Sequence, residues 1–369
     1  MAGGANAAET ASLIRGSLKT AVKAAAEARD AEADAFGSRT EANTVAWADA
    51  MLKSHRYGTV VNALRQKFNQ APETFSKDTQ LVNRYLYALV RSGRLTEAGK
   101  LLIQVDRTGA PDGYTYALKA AVAQFAGEDA LSESAEKDAI LEDPTSLAIK
   151  YTQAYLAVVR GKYDVMATFV NELNRLDPQS SLTAYYRSVR TYLSRDYDMS
   201  RRDFETALLA DPGNYDMLVE KGNQVIESAA SLNLQGDDLS ARLDIALAYF
   251  EAALESRAES FEALTGISLV HAMAGRLTEA NNYGRAAIAA GEEYAPAYFA
   301  LAAILNMQMV RQTGSEAAAT RTLAEQVRQR YESLDKRLKG RIAPTALQAW
   351  GNFYRTGRVP ALPTPVMAE

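Results

Sequence analysis

The sequence predicts an all-α chain built as a solenoid of stacked helix-turn-helix units, and three observations point to it. The first is an internal repeat. Residues 147–178 and 181–212 superpose without a gap at an offset of 34, placing Tyr163 on Tyr197, Met166 on Ser200, Leu173 on Ala207 and Asp177-Pro178 on Asp211-Pro212. A period of that length is a helical pair closed by Pro after its second helix. The second is a turn residue held in register, since Gly93, Gly127, Gly161 and Arg195 follow one another at intervals of 34. The first helix of each pair needs a residue tolerating positive φ in order to end and reverse. The third is that apolar residues recur at helical spacing while no period-two strand pattern is visible.

Taken in order, residues 1–8 are rich in Gly, Ala and Asn and read as unstructured. From Glu9 to Phe36 the Ala-rich, mixed-charge composition favours a leading helix with a thin apolar face, so residues 1–40 read as a flexible start and an N-terminal cap. Repeats follow at 41–74, 79–112, 113–146, 147–180, 181–214, 215–260 and 261–294. The first holds Trp47, Ala48, Met51, Tyr57, Val60, Leu64 and Pro72 at packing positions. The third is the weakest, because Glu136 stands where a large apolar side chain is expected. In the sixth, the second helix arrives 12 residues late, so 231–242 reads as an insertion, with Asp238 as the N-cap of the delayed helix. Residues 295–355 read as a degenerate pair followed by capping helices, the last over 345–354, and the Pro-rich 356–369 as an extended tail.

Each pair leaves an apolar face that only the next pair covers. The eighth positions of successive repeats are Ala48, Leu86, Ala120, Ala154, Ser188, Gly222 and Ser268, and all but Leu86 are small, as close helix approach requires. Leu64, Leu102, Val170, Phe204 and Phe250 are the larger residues expected to fill the space opposite.

Composition excludes several classes of function. A chain of 369 residues without Cys has no disulfide framework, thiolate nucleophile or Cys-based metal site. A net charge of -4 gives no electrostatic footprint for nucleic acid, which is therefore not expected as a partner. No phosphate-binding, nucleophile-elbow or zinc-protease motif occurs, so the chain does not read as an enzyme and no cofactor is expected. His55 takes an inter-helix turn and His271 falls within a first helix, and both read as structural. The acidic run Glu133 to Asp138 and the pair Asp237-Asp238 lack calcium-loop spacing. The longest apolar run, 297–305, is too short to span a membrane, and the N-terminus lacks a continuous apolar signal region, which leads to a cytoplasmic expectation.

The 34-residue period, the turn glycines, the small eighth positions and the Asp-Pro endings resemble the tetratricopeptide repeat family. That resemblance implies a right-handed α-solenoid of about seven repeats acting as a multi-repeat scaffold or adaptor for a protein or peptide partner, without catalysis. In the family, first helices line a concave groove. Eleven of the 19 Tyr fall between 85 and 197, and the groove positions carry Tyr87, Tyr114, Tyr151, Tyr155, Tyr185 and Tyr192, while Tyr163 and Tyr197 match core positions. A Tyr-lined channel would grip an extended or helical segment, because Tyr adds contact area at low entropic cost; the alternative is that these rings pack between neighbouring repeats. The clamp by which one subgroup holds chaperone C-termini is matched only by Asn83 with Arg84. A second reading is self-assembly, a homo-oligomer built through the end helices or the tail. The basic stretch Arg321 to Arg341 reads as the solvated face of a terminal helix or a patch for an acidic surface.

Overall fold

The computed structural model describes residues 2–334 apart from 41, 110, 161, 259 and 310. It opens with α1 (Ala2–Leu13), a π-turn (Ile14–Leu18) and α2 (Lys19–Ala35). Helical pairs follow: α3 (Thr44–Lys53) with α4 (Tyr57–Gln70), then the single turn α5 (Pro72–Phe75), then α6 (Thr79–Arg91) with α7 (Leu95–Thr108) and α8 (Gly113–Phe125) with α9 (Asp129–Glu142). Next come α10 (Leu147–Val159) with α11 (Tyr163–Leu176), α12 (Ser181–Leu193) with α13 (Tyr197–Ala210), and α14 (Tyr215–Ser231) with α15 (Gly236–Ser256). The last are α16 (Phe261–Met273) with α17 (Leu277–Ala290) and α18 (Ala295–Met309) with α19 (Gly314–Leu334). The chain divides into two compact units, array I spanning 27–212 and array II combining residues up to 26 with those from 213 onward.

The same turn closes the first helix of pair after pair. An N–H reaches back to the carbonyl five residues earlier from Arg56 to Met51, Arg94 to Leu89, Glu128 to Ala123, Lys162 to Ala157, Asp196 to Thr191 and Arg276 to His271 at 2.8–2.9 Å, and from Leu234 to Ala229 at 3.1 Å. This is the Schellman closure, which places one residue in the left-handed region. That residue is Gly93 (φ 65°), Gly127 (71°) and Gly275 (75°), but also His55 (60°), Arg195 (63°) and Asn233 (49°). Gly161, expected at the same turn, lies outside the described residues.

The next first helix starts on a cap. Asp78, Asp112, Ser146, Ser180, Asn214 and Ser260 each accept a backbone N–H from the helix they open, at Leu81, Thr115, Ile149, Leu182, Met217 and Ala263. Each such cap stabilises its helix by about 1 kcal/mol.

Within a pair the helices meet at the small eighth position. Ala48, Ala120 and Ala154 are fully buried, and a hydroxyl ties the two helices in three pairs: Ser132 donates to the Ala120 carbonyl (2.7 Å), Ser200 to that of Ser188 (2.8 Å) and Ser268 to that of Ala280 (2.7 Å). Leu64, Leu102, Val170, Phe204 and Phe250 are buried as expected, each stabilising by roughly 1.5–3 kcal/mol. In array II the ring of Phe250 lies so close to Gly222 and Gly266 that a Cβ at either would fall 2.7 and 2.4 Å from its atoms.

Four expectations change. Residues 2–8 are helical, forming the first turns of α1, as their Ala content favours. The residues 231–242 are not a loop insertion: apart from a turn at 232–235 they are helical and lengthen the pair, α14 having 17 residues where α6, α8, α10, α12 and α16 have 13, and α15 having 21 where α4, α7, α9, α11, α13 and α17 have 14. Asp238 is not the cap, since Gln235 holds that position without a side-chain bond and Asp237 and Asp238 lie in the first turn, where their charge favours the positive end of the helix dipole. Glu136 is no packing defect either. It pairs with Arg160 of the following repeat, whose guanidinium also donates to Gln124 (2.8 Å) and Ser132 (2.6 Å), and only 15% of the Glu136 side chain and 10% of Arg160 are exposed.

The expected eighth pair is present as α18 and α19. The helix expected over 345–354 and the tail lie outside the described residues, as do Lys336, Arg337, Lys339 and Arg341 of the basic stretch. Its described part is internally balanced, with Arg328 bound to Glu325 (2.6 Å) and to Glu332, and the Arg328 hydrogen bond pulls the Glu325 carboxyl down to about 2.

Candidate functional site

Two of the first helices, α6 and α16, are buried nearly all round. In α6, Leu81–Asn83 and Tyr85–Arg91 are all buried, and in α16 the same holds for Phe261–Ala263, Thr265–Val270 and Ala272. A helix apolar on every side sits between neighbours rather than beside solvent. This decides what most of the predicted groove residues do.

Asn83 is buried and bridges to the next repeat, donating to the Asp112 carboxylate (3.0 and 3.1 Å) and accepting from the Thr115 hydroxyl (2.7 Å). Tyr151, at the equivalent position two repeats on, does the same, with its hydroxyl 2.7 Å from that of Thr183 and donating to Asp177 (3.0 Å). Burial raises the pKa of this hydroxyl, keeping it a donor. Array II repeats the device: the Tyr215 hydroxyl bonds Ser260 and Glu262, and Arg257 lies 5.3 Å over its ring. These residues clip one first helix to the start of the next. Tyr87 is buried edge-on to Tyr57 (6.1 Å), and Tyr114 is buried in the same core. Arg84 forms a two-pronged pair with Asp49, both contacts 2.9 Å.

The groove expectation therefore narrows to three residues. Asn83, Tyr87, Tyr114 and Tyr151 are packing and clip residues and Arg84 is engaged by Asp49, while Tyr155, Tyr185 and Tyr192 remain partly exposed. Tyr155 and Tyr185 pack on one core cluster that includes Tyr151, Tyr186 and Val189. Its floor is rigid: Tyr186 stacks on Tyr151 (6.0 Å) and meets Tyr185 edge-on (5.1 Å). Tyr192 meets Tyr197 edge-on at 5.6 Å. Arg187 and Arg190 on the same helix bond Asp203 and Asn174, and Asn171, respectively. The cluster thus presents half-buried rings on a fixed base.

In array I the second helices α9, α11 and α13 present apolar side chains to solvent. Tyr163 and Tyr197, expected in the core, are 42% and 60% exposed, because each is the first residue of its helix and projects from the open first turn. Leu131, Val165 and Met199 stand 34 residues apart at one repeat position and are all exposed, with Leu141 and Leu209 further along their helices. In the sequence the only signal of this outer apolar row is the 34-residue spacing of Leu131, Val165 and Met199.

Among the described residues no group of three His, Cys, Asp or Glu gathers to hold a metal, and no helix is long and apolar enough to cross a membrane. His271 accepts from Arg276 Nε (2.9 Å) at Nδ1 and stacks on Tyr283 (5.3 Å); burial and the Arg276 charge lower its pKa.

The repeats, with 34-residue spacing, Schellman turns, capped first helices and small eighth positions, have the tetratricopeptide form. No model of a protein family matches the sequence and no curated protein resembles it at the level of sequence. Among solved structures, YrrB, described as a TPR protein with an unusual peptide-binding site, is 18% identical with a TM-score of 0.33, over 58% of this chain and 97% of its own. Yeast Tom70 is 15% identical with a TM-score of 0.43, over 83% of this chain and 63% of its own. A monomeric mutant of IFIT1 solved with Gppp-AAAA is 15% identical with a TM-score of 0.41, over 79% and 61%. The chain spans less than two thirds of the length of the last two.

Proposed function

We propose that this protein is a non-catalytic interaction scaffold that holds an extended or helical segment of a partner protein against Tyr155, Tyr185 and Tyr192 in array I. The observation that supports it is that Tyr155 and Tyr185 are half-buried over a floor of Tyr151 and Tyr186, with Tyr151 pinned by Asp177 and Thr183, while Tyr192, half-buried on the same helix as Tyr185, is braced by Tyr197. A rigid aromatic surface loses little conformational freedom on binding, which is the property that makes Tyr a frequent hot spot. The test is site-directed photo-crosslinking. A benzoyl-phenylalanine in place of Tyr185 or Tyr192 is expected to capture a partner protein, whereas the same group in place of the exposed Leu209 is not. Capture at Leu209 alone would reject the assignment.

A second reading, association with another copy, is favoured by the outer row of Leu131, Val165 and Met199, whose 34-residue spacing another copy would match. It requires a mass that rises with concentration and falls back when the three are replaced by Ser.

A further inference from the structure

Helix α15 is buried on two opposite faces. Phe250 faces α14 and α16, against Gly222 and Gly266. Glu251, Glu255, Ala248 and Ala252 lie about 100° to 200° around the helix from it, at 100° per residue. Ala248 and Ala252 are 1% and 0% exposed. That second face is covered by the chain's own beginning, since α1 and the π-turn pack on α15 with Cα atoms within 8 Å. Ala11 and Ile14 are buried. One turn apart on each helix, Arg15 Nε meets Glu251 (3.0 Å) and Lys19 Nζ meets Glu255 (2.9 Å).

We propose that this outer face of α15 is a helix-docking site for a partner helix carrying two basic residues one turn apart beside small and aliphatic ones, and that residues 2–26 are an internal competitor filling it at rest. Three observations carry the inference. The site is built, being acidic at its rim and Ala-lined at its floor, on a helix seven residues longer than the second helices α4, α7, α9, α11, α13 and α17. The occupant shows the chemistry that fits. The polar part of the hold is light, because both ion pairs are between three and four tenths exposed on their side chains, and an exposed pair changes an equilibrium by no more than about fivefold. The covering segment also includes a π-turn, a feature that recurs where a helix has a functional role. A tethered helix has an effective concentration of about millimolar, so a competitor prevails only if it binds more tightly or the pairs are weakened. The site lies in array II and is independent of the tyrosine cluster.

The test uses the full-length chain and a fluorescent synthetic peptide of residues 2–26 as the probe. In Arg15→Glu/Lys19→Glu the internal helix is expected to release, seen as faster hydrogen exchange over 9–24 with α16 and α17 unchanged. The probe then binds at least about tenfold more tightly than to the wild type. Adding Glu251→Lys/Glu255→Lys, together with Ile14→Asp so that the internal helix cannot re-dock on the swapped charges, abolishes that binding, and a probe bearing Arg15→Glu and Lys19→Glu restores it. If the pair reversal leaves 9–24 protected, Ile14→Asp is added to force release. A released chain that still fails to bind the probe overturns the proposal, as does binding indifferent to Glu251 and Glu255. Binding accompanied by a doubling of mass without probe assigns the site to a second copy instead and overturns the foreign partner.

Discussion

The substitution Gly266→Ala puts the stacking of array II to a quantitative test. An added Cβ would lie 2.4 Å from two atoms of the Phe250 ring and 2.7 Å from a third. The ring has nowhere to go, since it is fully buried and a Cβ at Gly222 on α14 would itself stand 2.7 Å away. Overpacking of a tight core costs about 1–3 kcal/mol, and this site belongs at the upper end because a rigid ring, not a flexible chain end, must yield. Ala returns about 1 kcal/mol through helix propensity, leaving a net loss of about 2 kcal/mol. In urea this lowers the midpoint by about 1 M for a slope near 2 kcal/mol/M, followed by circular dichroism, with hydrogen exchange over α14 to α17 confirming where the loss falls. Phe250→Leu should cost less in the Gly266→Ala background than alone. Gly99→Ala in α7 is the control: nothing lies within 4 Å of its added Cβ, so it should stabilise by up to about 1 kcal/mol. A neutral or stabilising Gly266→Ala would refute the close approach of α15 and α16.

Three further outcomes are expected. Arg195→Gly relieves a non-Gly residue at φ 63° and should stabilise array I by about 1 kcal/mol, read as a higher urea midpoint. Tyr151→Phe removes the hydroxyl between Asp177 and Thr183 and should cost about 1–3 kcal/mol, measured by thermal melting, without loss of a captured partner. His271 has its pKa held below 6.5, so the folded state resists a proton that the unfolded chain accepts: its stability contribution is complete above about 6.5 and is lost as pH falls through the lowered value. Melting temperature against pH should show that acid-side loss shrink in His271→Asn.

What the sequence disclosed was whatever repeats locally. The 34-residue period, the turn at Gly93, Gly127 and Arg195 and the small eighth positions each follow from one residue's own backbone or volume, and each stands where expected. The N-caps at Asp112, Ser146, Ser180 and Asn214 are equally local features of the sequence. The candidate site was less legible, because whether a first-helix Tyr is exposed depends on how closely the neighbouring repeats stack. Tyr151 and Tyr155 sit one turn apart on α10, yet one is a buried clip and the other half-exposed. Glu136 could be understood only with Arg160, which comes from the next repeat. The docking of α1 on α15 joins residues more than 230 apart, as in Arg15 and Glu251, and no local pattern announces it.

The most direct test of the scaffold is capture of partners from native lysate by three forms of the full-length protein, read by mass spectrometry. They are the wild type, the folded variant Tyr155→Ala/Tyr185→Ala/Tyr192→Ala, and the folded variant Leu131→Ser/Val165→Ser/Met199→Ser. The tyrosine surface predicts a defined partner retained by the wild type and the outer-row variant and lost only from the tyrosine variant. A partner held by the tyrosine variant and lost from the outer-row variant would contradict it and move the working surface to the second helices.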